Sequence, residues 1–506
     1  MVRRWIVLGL ICSATLVLGV GSQSGAAAPA QPKIAWSPCF KQLGPFECGS
    51  VQVPLDYDTE SGAISIAVAR LPATNPSQRI GSLFLNPGGP GGSGIDFLLA
   101  ANSILFSDEV RARFDLVGFD PRGIVRSTAF RCFGNPMQWE PYFTPFPFPL
   151  TPSEEAMWIT ADRYLDSACA QRGGKVGQHM STANVARDLD RLREAVGDDG
   201  LTFAGYSYGS FLGTTYANMF PDRVRAVIVD GVLDPIAWTT GAPGQAGLPF
   251  STRLRSDAGA MATLNEFFRL CDAGTCAFGP DSASRYADLV AEVLADPTVI
   301  DYNNLVGITL GAMYDSSSWE GFAQLLADIE AAEASTPALR ARITAFQLRP
   351  MYIAKRGFPR YPNVVEGFPA VACNDSDNPD SYAAWSAAGV AADAQFGYFG
   401  RLWTWVSSIC AEWPTADPDR YVGPFTRNTA NPVLVVGTRY DPATRYEGAV
   451  TVDALLPNSR LLTVEGWGHT SLFLSACADA IASTYLLTTT APMSSTCTQD
   501  VTPFQG

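Results

Sequence analysis

Short, uninterrupted apolar runs recur along the chain and are separated by longer polar or mixed stretches. Continuous apolar runs of this kind are typical of strands that are buried on both faces of a parallel sheet. The pattern predicts strands at 64–69, 82–85, 114–119, 201–204, 226–229, 433–436 and 461–464.

Helical patterns lie between these runs. In 182–196 the apolar residues Val185, Leu189, Leu192 and Val196 follow helical spacing, and a second helix is predicted at 210–219. Strands that alternate with helices indicate an α/β fold, with a mostly parallel sheet and helices on both faces.

The alternation stops after Asp234-Pro235 and resumes only at the run 433–436. The intervening residues include helical stretches such as 287–294 and 322–332. We therefore expect a large, mainly helical cap inserted into the α/β core. The predicted division is a signal peptide at 1–30, core at 31–235, cap at 236–430 and core again at 431–506.

The N-terminus has the pattern of a secretory signal. Arg3 and Arg4 precede an apolar run, and small residues follow, ending in Ala28-Pro29-Ala30. This order of basic, apolar and small residues predicts cleavage near Ala30 and an extracellular protein. The alternative is an uncleaved anchor, but the apolar run is short for a membrane span. We therefore expect no stable membrane insertion.

Composition narrows the possible functions of this 506-residue chain. The formal net charge is −14, and −16 without Arg3 and Arg4, which argues against a nucleic-acid partner. There are only 2 His, His179 and His469, so we expect no His-rich metal centre. We also expect no cofactor. A mechanism that needs a histidine must use one of these two. The oligomeric state is left open by the sequence.

Eleven cysteines are present, and one of them, Cys12, lies in the predicted signal peptide. The remaining ten form an even set, as expected of an exported, disulfide-bonded protein. Spacing does not determine connectivity, but pairing of neighbours along the chain would close five local loops. A thiolate metal site is disfavoured because no C-x-x-C pair occurs.

The pentapeptide Gly205-Tyr206-Ser207-Tyr208-Gly209 is a G-x-S-x-G motif between a predicted strand and a predicted helix. That context is typical of a nucleophile elbow, in which a strained turn exposes the serine. An ordinary strand-to-helix turn with a serine cap is the alternative. The context and the partners below favour Ser207 as a nucleophile.

A nucleophilic serine needs a base, and the base needs an orienting carboxylate. His469 follows the run 461–464, and Asp441 follows the run 433–436, so both are expected at the carboxyl edge of the sheet. The order Ser207, Asp441, His469 is that of an α/β-hydrolase. His179 has no strand end to place it, while Asp230 and Asp234 are alternatives for the acid.

A glycine-rich loop at 86–94 follows the predicted strand 82–85. It lacks the Gly-Lys-Ser/Thr ending of a phosphate-binding loop. Its position ahead of the elbow predicts an oxyanion hole, made by the backbone N–H groups of Gly89 and Tyr208. The segment 120–123, Asp-Pro-Arg-Gly, is interpreted as a structural turn in which Arg122 pairs locally.

These motifs, together with Asp230-Gly-Val232 and Gly466-Trp-Gly-His469, resemble the secreted tripeptidyl aminopeptidases of actinomycetes, which are proline iminopeptidase-like α/β-hydrolases. The resemblance extends from about Trp36 to Cys497. There are departures: Pro87 stands where proline iminopeptidases usually have His, and the family's Gly-x-Gly after Asp-Pro-Arg reads Gly-Ile-Val at 123–125.

The resemblance implies a serine exopeptidase that releases di- or tripeptides from a peptide with a free N-terminus. Such an enzyme must bind an ammonium group, and we name Asp375 and Glu320 in the cap as candidates. A secreted carboxylesterase with the same triad is the alternative. A binding protein on an inactive hydrolase scaffold is a third hypothesis, disfavoured because all three triad residues are present.

Overall fold

A ten-stranded sheet forms the centre of the computed structural model, which describes residues 33–101, 104–347, 362–363, 365–492 and 494–505. The predicted signal peptide lies outside these residues. The strands are β1 (Ser37–Pro38), β2 (Glu47–Asp56), β3 (Ser61–Leu71), β4 (Gly81–Asn86), β5 (Phe114–Phe119), β6 (Leu201–Tyr206), β7 (Val224–Asp230), β8 (Val433–Tyr440), β9 (Ser459–Trp467) and β10 (Ser494–Thr498).

The strand order is β1-β2-β3-β5-β4-β6-β7-β8-β9-β10. The strands from β5 to β10 are parallel, whereas β1, β2 and β3 pair antiparallel with one another and β3 pairs antiparallel with β5. All seven predicted strands are present, which confirms the α/β fold with a mostly parallel sheet.

Three strands were not predicted from the sequence. β2 alternates polar and apolar residues, and β1 and β10 are short, so none of them is a continuous apolar run. The run 461–464 is therefore not the last strand, because β10 follows it and pairs parallel with β9. Edge strands bury fewer side chains than central ones, which weakens their apolar signal.

Helices cover both faces of the sheet and fill the long connection between β7 and β8. They are α1 (Gly94–Ala101), α2 (Asp108–Arg113), α3 (Pro152–Arg172), α4 (Thr182–Val196), α5 (Tyr208–Met219), α6 (Pro235–Trp238), α7 (Phe250–Leu254), α8 (Ser256–Ala273), α9 (Ser282–Ala295), α10 (Tyr302–Met313), α11 (Trp319–Glu330), α12 (Pro337–Ala345), α13 (Gly367–Asp375), α14 (Tyr382–Phe396), α15 (Gly400–Trp405), α16 (Tyr446–Leu455) and α17 (Ala476–Thr488).

The central strands send alternate side chains to two separate cores. In β4, Leu83 and Leu85 pack with α1 and α17 on one face, while Phe84 packs with α4 and α5 on the other. Successive side chains of a strand point to opposite faces, so a strand covered on both sides must be apolar throughout. This explains why these strands were recognisable from the sequence.

The connection from β7 to β8 is mainly helical in its described residues, and helices α6 to α15 lie there. Part of it supplies most of one hydrophobic core, in which Phe267 contacts Trp319 and Phe322 and also Phe504 from the C-terminal segment. We keep the name cap for residues 236–430. Its separation from the core as a distinct domain stays a prediction.

Five disulfides connect the ten cysteines outside the predicted signal peptide, and each joins neighbours along the chain. The pairs are Cys39–Cys48, Cys132–Cys169, Cys271–Cys276, Cys373–Cys410 and Cys477–Cys497. In the described residues, no helix is both long enough and apolar enough to cross a bilayer.

Arg122 is fully buried and forms a bidentate ion pair with Asp188 of α4. Its Nε and Nη2 donate to the two Asp188 oxygens, both at 2.7 Å. Further guanidinium N–H groups donate to the carbonyls of Pro54, Leu55 and His179. Arg122 is therefore structural, and it joins the β5 turn to α4 and β2.

We expect Asp188→Ala to destabilise the protein by about 3–5 kcal/mol, because it leaves a buried guanidinium without its counter-ion. Urea unfolding followed by circular dichroism measures this change. The control is Glu412→Ala, which removes the partner of exposed Arg163 and should cost less than about 1 kcal/mol. Equal losses in the two variants would contradict the prediction.

Candidate functional site

Ser207 lies in a sharp turn between β6 and α5. Its backbone has φ 57° and ψ −125°, a conformation that non-glycine residues rarely adopt. The Ser207 N–H donates to the Asp230 carbonyl at 2.9 Å, and the Ser207 carbonyl accepts from the Ser210 hydroxyl at 2.5 Å. The turn therefore has the strained geometry expected of a nucleophile elbow.

The two glycines of the motif are required by close packing around this turn. A Cβ atom at Gly205 would lie 2.2 Å from the Gly209 carbonyl oxygen, and one at Gly209 would lie 2.6 Å from the Asn86 carbonyl oxygen. A larger residue at 205 would clash within the turn, and one at 209 would push the elbow away from β4.

Asp441 and His469 are in direct contact at the carboxyl ends of β8 and β9. The His469 Nδ1 lies 2.9 Å and 3.0 Å from the two Asp441 carboxylate oxygens. Asp441 is fully buried, and the His469 side chain is 14% exposed. The acid thus fixes the imidazole with its Nδ1 inward, which leaves the opposite nitrogen free to serve as a base.

This pair controls the ionisation of both groups. Burial alone would lower the pKa of His469, but the Asp441 carboxylate outweighs it and raises the pKa above its usual value. Burial would raise the pKa of Asp441, but His469 and the backbone N–H groups of Thr470 and Thr444 outweigh burial and lower it. Asp441 therefore stays ionised and stabilises the imidazolium form of His469.

Thr444 is a site residue that sequence reasoning missed. Its hydroxyl donates to Asp441 at 2.9 Å and lies 3.3 Å from the His469 Nδ1. The backbone N–H groups of Ala443 and Thr444 also donate to the carboxylate, each at 2.8 Å. Nothing in the sequence marks Thr444, because an isolated threonine has many ordinary uses.

Tyr314, at the end of cap helix α10, is a second missed residue. Its carbonyl accepts the His469 N–H at 2.9 Å, and its ring lies edge-on to the imidazole with centroids 5.0 Å apart. The next cap residue, Asp315, forms a β-bridge with Gly468. The cap therefore helps to hold His469, which no local sequence pattern indicated.

The glycine-rich loop lies directly over the elbow. A Cβ atom at Gly88, where φ is +97°, would lie 2.9 Å from both the Ser207 Cβ and the Tyr208 nitrogen. The Gly88 N–H donates to the Asn86 side chain at 2.9 Å. The next N–H along the loop, that of Gly89, remains our prediction for the oxyanion hole, together with the N–H of Tyr208.

The structure places the two predicted ammonium-binding residues differently. Asp375 is buried behind the elbow, where it accepts from the Thr182 N–H and hydroxyl at 2.7 Å and 2.6 Å and from the Trp238 indole at 3.2 Å. The Thr182 hydroxyl in turn bonds Tyr208. Glu320 is exposed in the first turn of α11, next to Trp319, which packs against Trp467.

His179 lies in a short 3-10 turn before α4, away from the strand ends that carry Ser207, Asp441 and His469. Its ring and the carboxylates of Asp56 and Asp419 have potential ligand atoms within 4.8 Å of one another, the one such group in the described residues. Asp56 ends β2, near the antiparallel edge of the sheet, so this group is not part of the candidate catalytic site.

Parallel strands whose carboxyl ends carry a strained serine, an acid and a histidine in that chain order define the α/β-hydrolase class. Residues 81–258 match the family model described as alpha/beta hydrolase fold, and residues 394–497 match the one described as TAP-like protein. These matches include the elbow in one segment and both Asp441 and His469 in the other.

Curated relatives match over nearly the whole chain. "Serine protease Hip1" of Mycobacterium tuberculosis H37Rv is 32% identical over 98% of this chain and 97% of its own. "Carboxylesterase B" of the same strain is 32% identical over 96% of this chain and 93% of its own. "Tripeptidyl aminopeptidase" of Streptomyces coelicolor is 29% identical over 92% of this chain and 86% of its own. The chain is therefore a hydrolase, and it belongs to the tripeptidyl aminopeptidase-like serine peptidase family of α/β-hydrolases.

Proposed function

We propose that this protein is a serine exopeptidase that cleaves short peptides from a free N-terminus. The observation that carries the proposal is the buried Asp441–His469 pair at 2.9 Å, beside an elbow with strained Ser207. Relatives named serine protease and tripeptidyl aminopeptidase support a peptide as the substrate.

In the proposed reaction, Ser207 Oγ attacks the scissile carbonyl while His469 accepts its proton. Asp441 holds the imidazole and stabilises its positive charge. The N–H groups of Gly89 and Tyr208 bind the oxyanion. His469 then protonates the leaving amine, and a water molecule, deprotonated by His469, releases the peptide from Ser207.

An enzyme that recognises a free N-terminus needs a group that binds the substrate's ammonium. Glu320 is the more accessible candidate, because it is exposed in the first turn of α11. The helix begins at Trp319, which packs against Trp467. Asp375 is less accessible, because Thr182 and Trp238 occupy its carboxylate. The five disulfides support the proposal that the enzyme works outside the cell.

A secreted carboxylesterase is the second candidate function. It has the same triad and oxyanion groups, and the relative named Carboxylesterase B is as similar in sequence as the relative named serine protease. The difference lies in what the cap admits to Ser207, since the chemistry at the elbow is common to both.

Matched substrates separate the two functions. We expect the enzyme to hydrolyse a tripeptide amide with a free amine at least 10²-fold more efficiently than its N-acetylated form, since acetylation removes the ammonium group that the enzyme's carboxylate would bind. Liquid chromatography of the products measures both reactions. Turnover of a p-nitrophenyl ester with no turnover of either peptide would favour the esterase.

The variants Glu320→Gln and Asp375→Asn assign the ammonium site. Loss of the preference for a free amine, with ester hydrolysis unchanged, is expected of the residue that binds the ammonium. A variant that keeps the preference removes its residue from this role.

A further inference from the structure

Asp230, at the end of β7, contacts both the serine turn and the histidine loop. Its main-chain carbonyl accepts the Ser207 N–H at 2.9 Å. Its buried carboxylate accepts the Ser471 N–H at 3.0 Å and 3.1 Å and the Ser471 hydroxyl at 2.7 Å. One residue therefore connects the elbow to the loop that carries His469.

The loop after His469 is backbone-strained. Thr470 has φ +70°, which is unfavourable for a β-branched residue. Three successive N–H groups hold it: His469 donates to the Tyr314 carbonyl, Thr470 to the Asp441 carboxylate, and Ser471 to Asp230. The Asp230 contact directly follows the strained residue, so its loss would let the loop relax and move the imidazole.

The titratable groups that face the Asp230 carboxylate are Asp441, His469 and Tyr206. Of these, His469 becomes a cation when it takes the proton of Ser207. Burial raises the pKa of Asp230 to about 7, although the Ser471 hydrogen bonds oppose the shift. A cationic His469 favours ionised Asp230, and ionised Asp230 favours the cation.

We propose that Asp230 is a positioning residue of the catalytic site: it holds the His469 loop through Ser471 and supplies a second negative charge that stabilises the imidazolium. This inference rests on the proposed role of His469 as the base. Asp230 takes no proton from His469 in the reaction. Asp441 orients the Nδ1 edge of the imidazole, whereas Asp230 acts through the loop and its electric field.

Two substitutions separate the positioning effect from the charge effect. Asp230→Asn keeps an oxygen for the Ser471 N–H and a donor for the Ser471 hydroxyl, but it removes the charge. Asp230→Ala removes both. The control is Asp198→Asn, which neutralises a carboxylate that accepts the Ser82 N–H at 2.7 Å. This contact lies at the amino ends of β4 and β6, whereas Asp230 lies at the carboxyl end of β7.

Hydrolysis of a p-nitrophenyl ester as a function of pH is the assay, because it needs the triad but not a peptide substrate. Asp230 is ionised above about pH 7, and in that range its charge favours protonated His469; without that charge, His469 loses its proton at lower pH. The acidic limb of kcat/KM in Asp230→Asn should therefore move to lower pH, with the plateau within about tenfold of the parent. Asp230→Ala should lose about 10²-fold in kcat, as expected of a displaced base.

Asp198→Asn should retain the profile of the parent. A profile for Asp230→Asn that superimposes on that of the parent overturns the charge effect. Full turnover by folded Asp230→Ala overturns the positioning effect. Failure of the proposed function looks different: Ser207→Ala or His469→Ala would then retain hydrolysis. Thermal unfolding of each variant establishes that it is folded.

Discussion

Ser207→Ala is expected to lower kcat by about 10⁶-fold on any substrate the enzyme accepts, because the acyl-enzyme can no longer form. The substitution removes one oxygen atom and leaves the elbow backbone, with its contacts to Asp230 and Ser210, in place. Residual turnover and the thermal midpoint of the purified variant measure the effect.

Ser167→Ala is the matched control, since Ser167 is exposed on α3 and should have parent activity. A fluorophosphonate probe should label the parent and the control but not Ser207→Ala. Hydrolysis by Ser207→Ala within tenfold of the parent would contradict the whole reaction scheme, including the roles of His469 and Asp441.

Asp441→Asn is expected to lower kcat by about 10⁴-fold, because an amide cannot hold the imidazole in the required tautomer or stabilise its positive charge. The buried carboxylate receives N–H donors from Ala443, Thr444 and Thr470 as well as His469. Kinetics at the optimum pH of the parent, with unfolding as a check, measure the loss.

Asp230→Asn is the comparison for this variant, because Asp230 ends the neighbouring strand and was one of the two alternatives for the acid. We expect it to retain turnover within about tenfold of the parent, since its carboxylate contacts Ser471 and not the imidazole. A loss for Asp230→Asn as large as that for Asp441→Asn would instead make Asp230 the acid.

Much of the fold could be predicted because the central strands are covered on both faces. A strand such as β5 must then be apolar throughout, and its predicted and observed bounds are the same, Phe114–Phe119. The partly polar strand β2 and the short edge strand β10 gave no such run. Local pattern therefore determined the centre of the sheet but not its edges.

The candidate site divides in the same way. A strained turn leaves a local signature, since glycine is the only residue type that fits at 205 and 209, beside Ser207. Chain order and the parallel sheet then bring strand ends together, which makes Asp441 and His469 recognisable. Thr444 and Tyr314 carry no signature of this kind, because an isolated threonine or tyrosine has many ordinary uses.

The sequence by itself determined the α/β class, the elbow at Ser207 and the candidate partners Asp441 and His469, because each depends on local backbone geometry or on chain order. Only the tertiary structure showed that Asp230 contacts Ser471, that Tyr314 holds the His469 loop and that Asp375 is occupied by Thr182 and Trp238. These contacts join residues far apart in the chain, and which side chain meets which is decided by packing, not by any pattern within one segment.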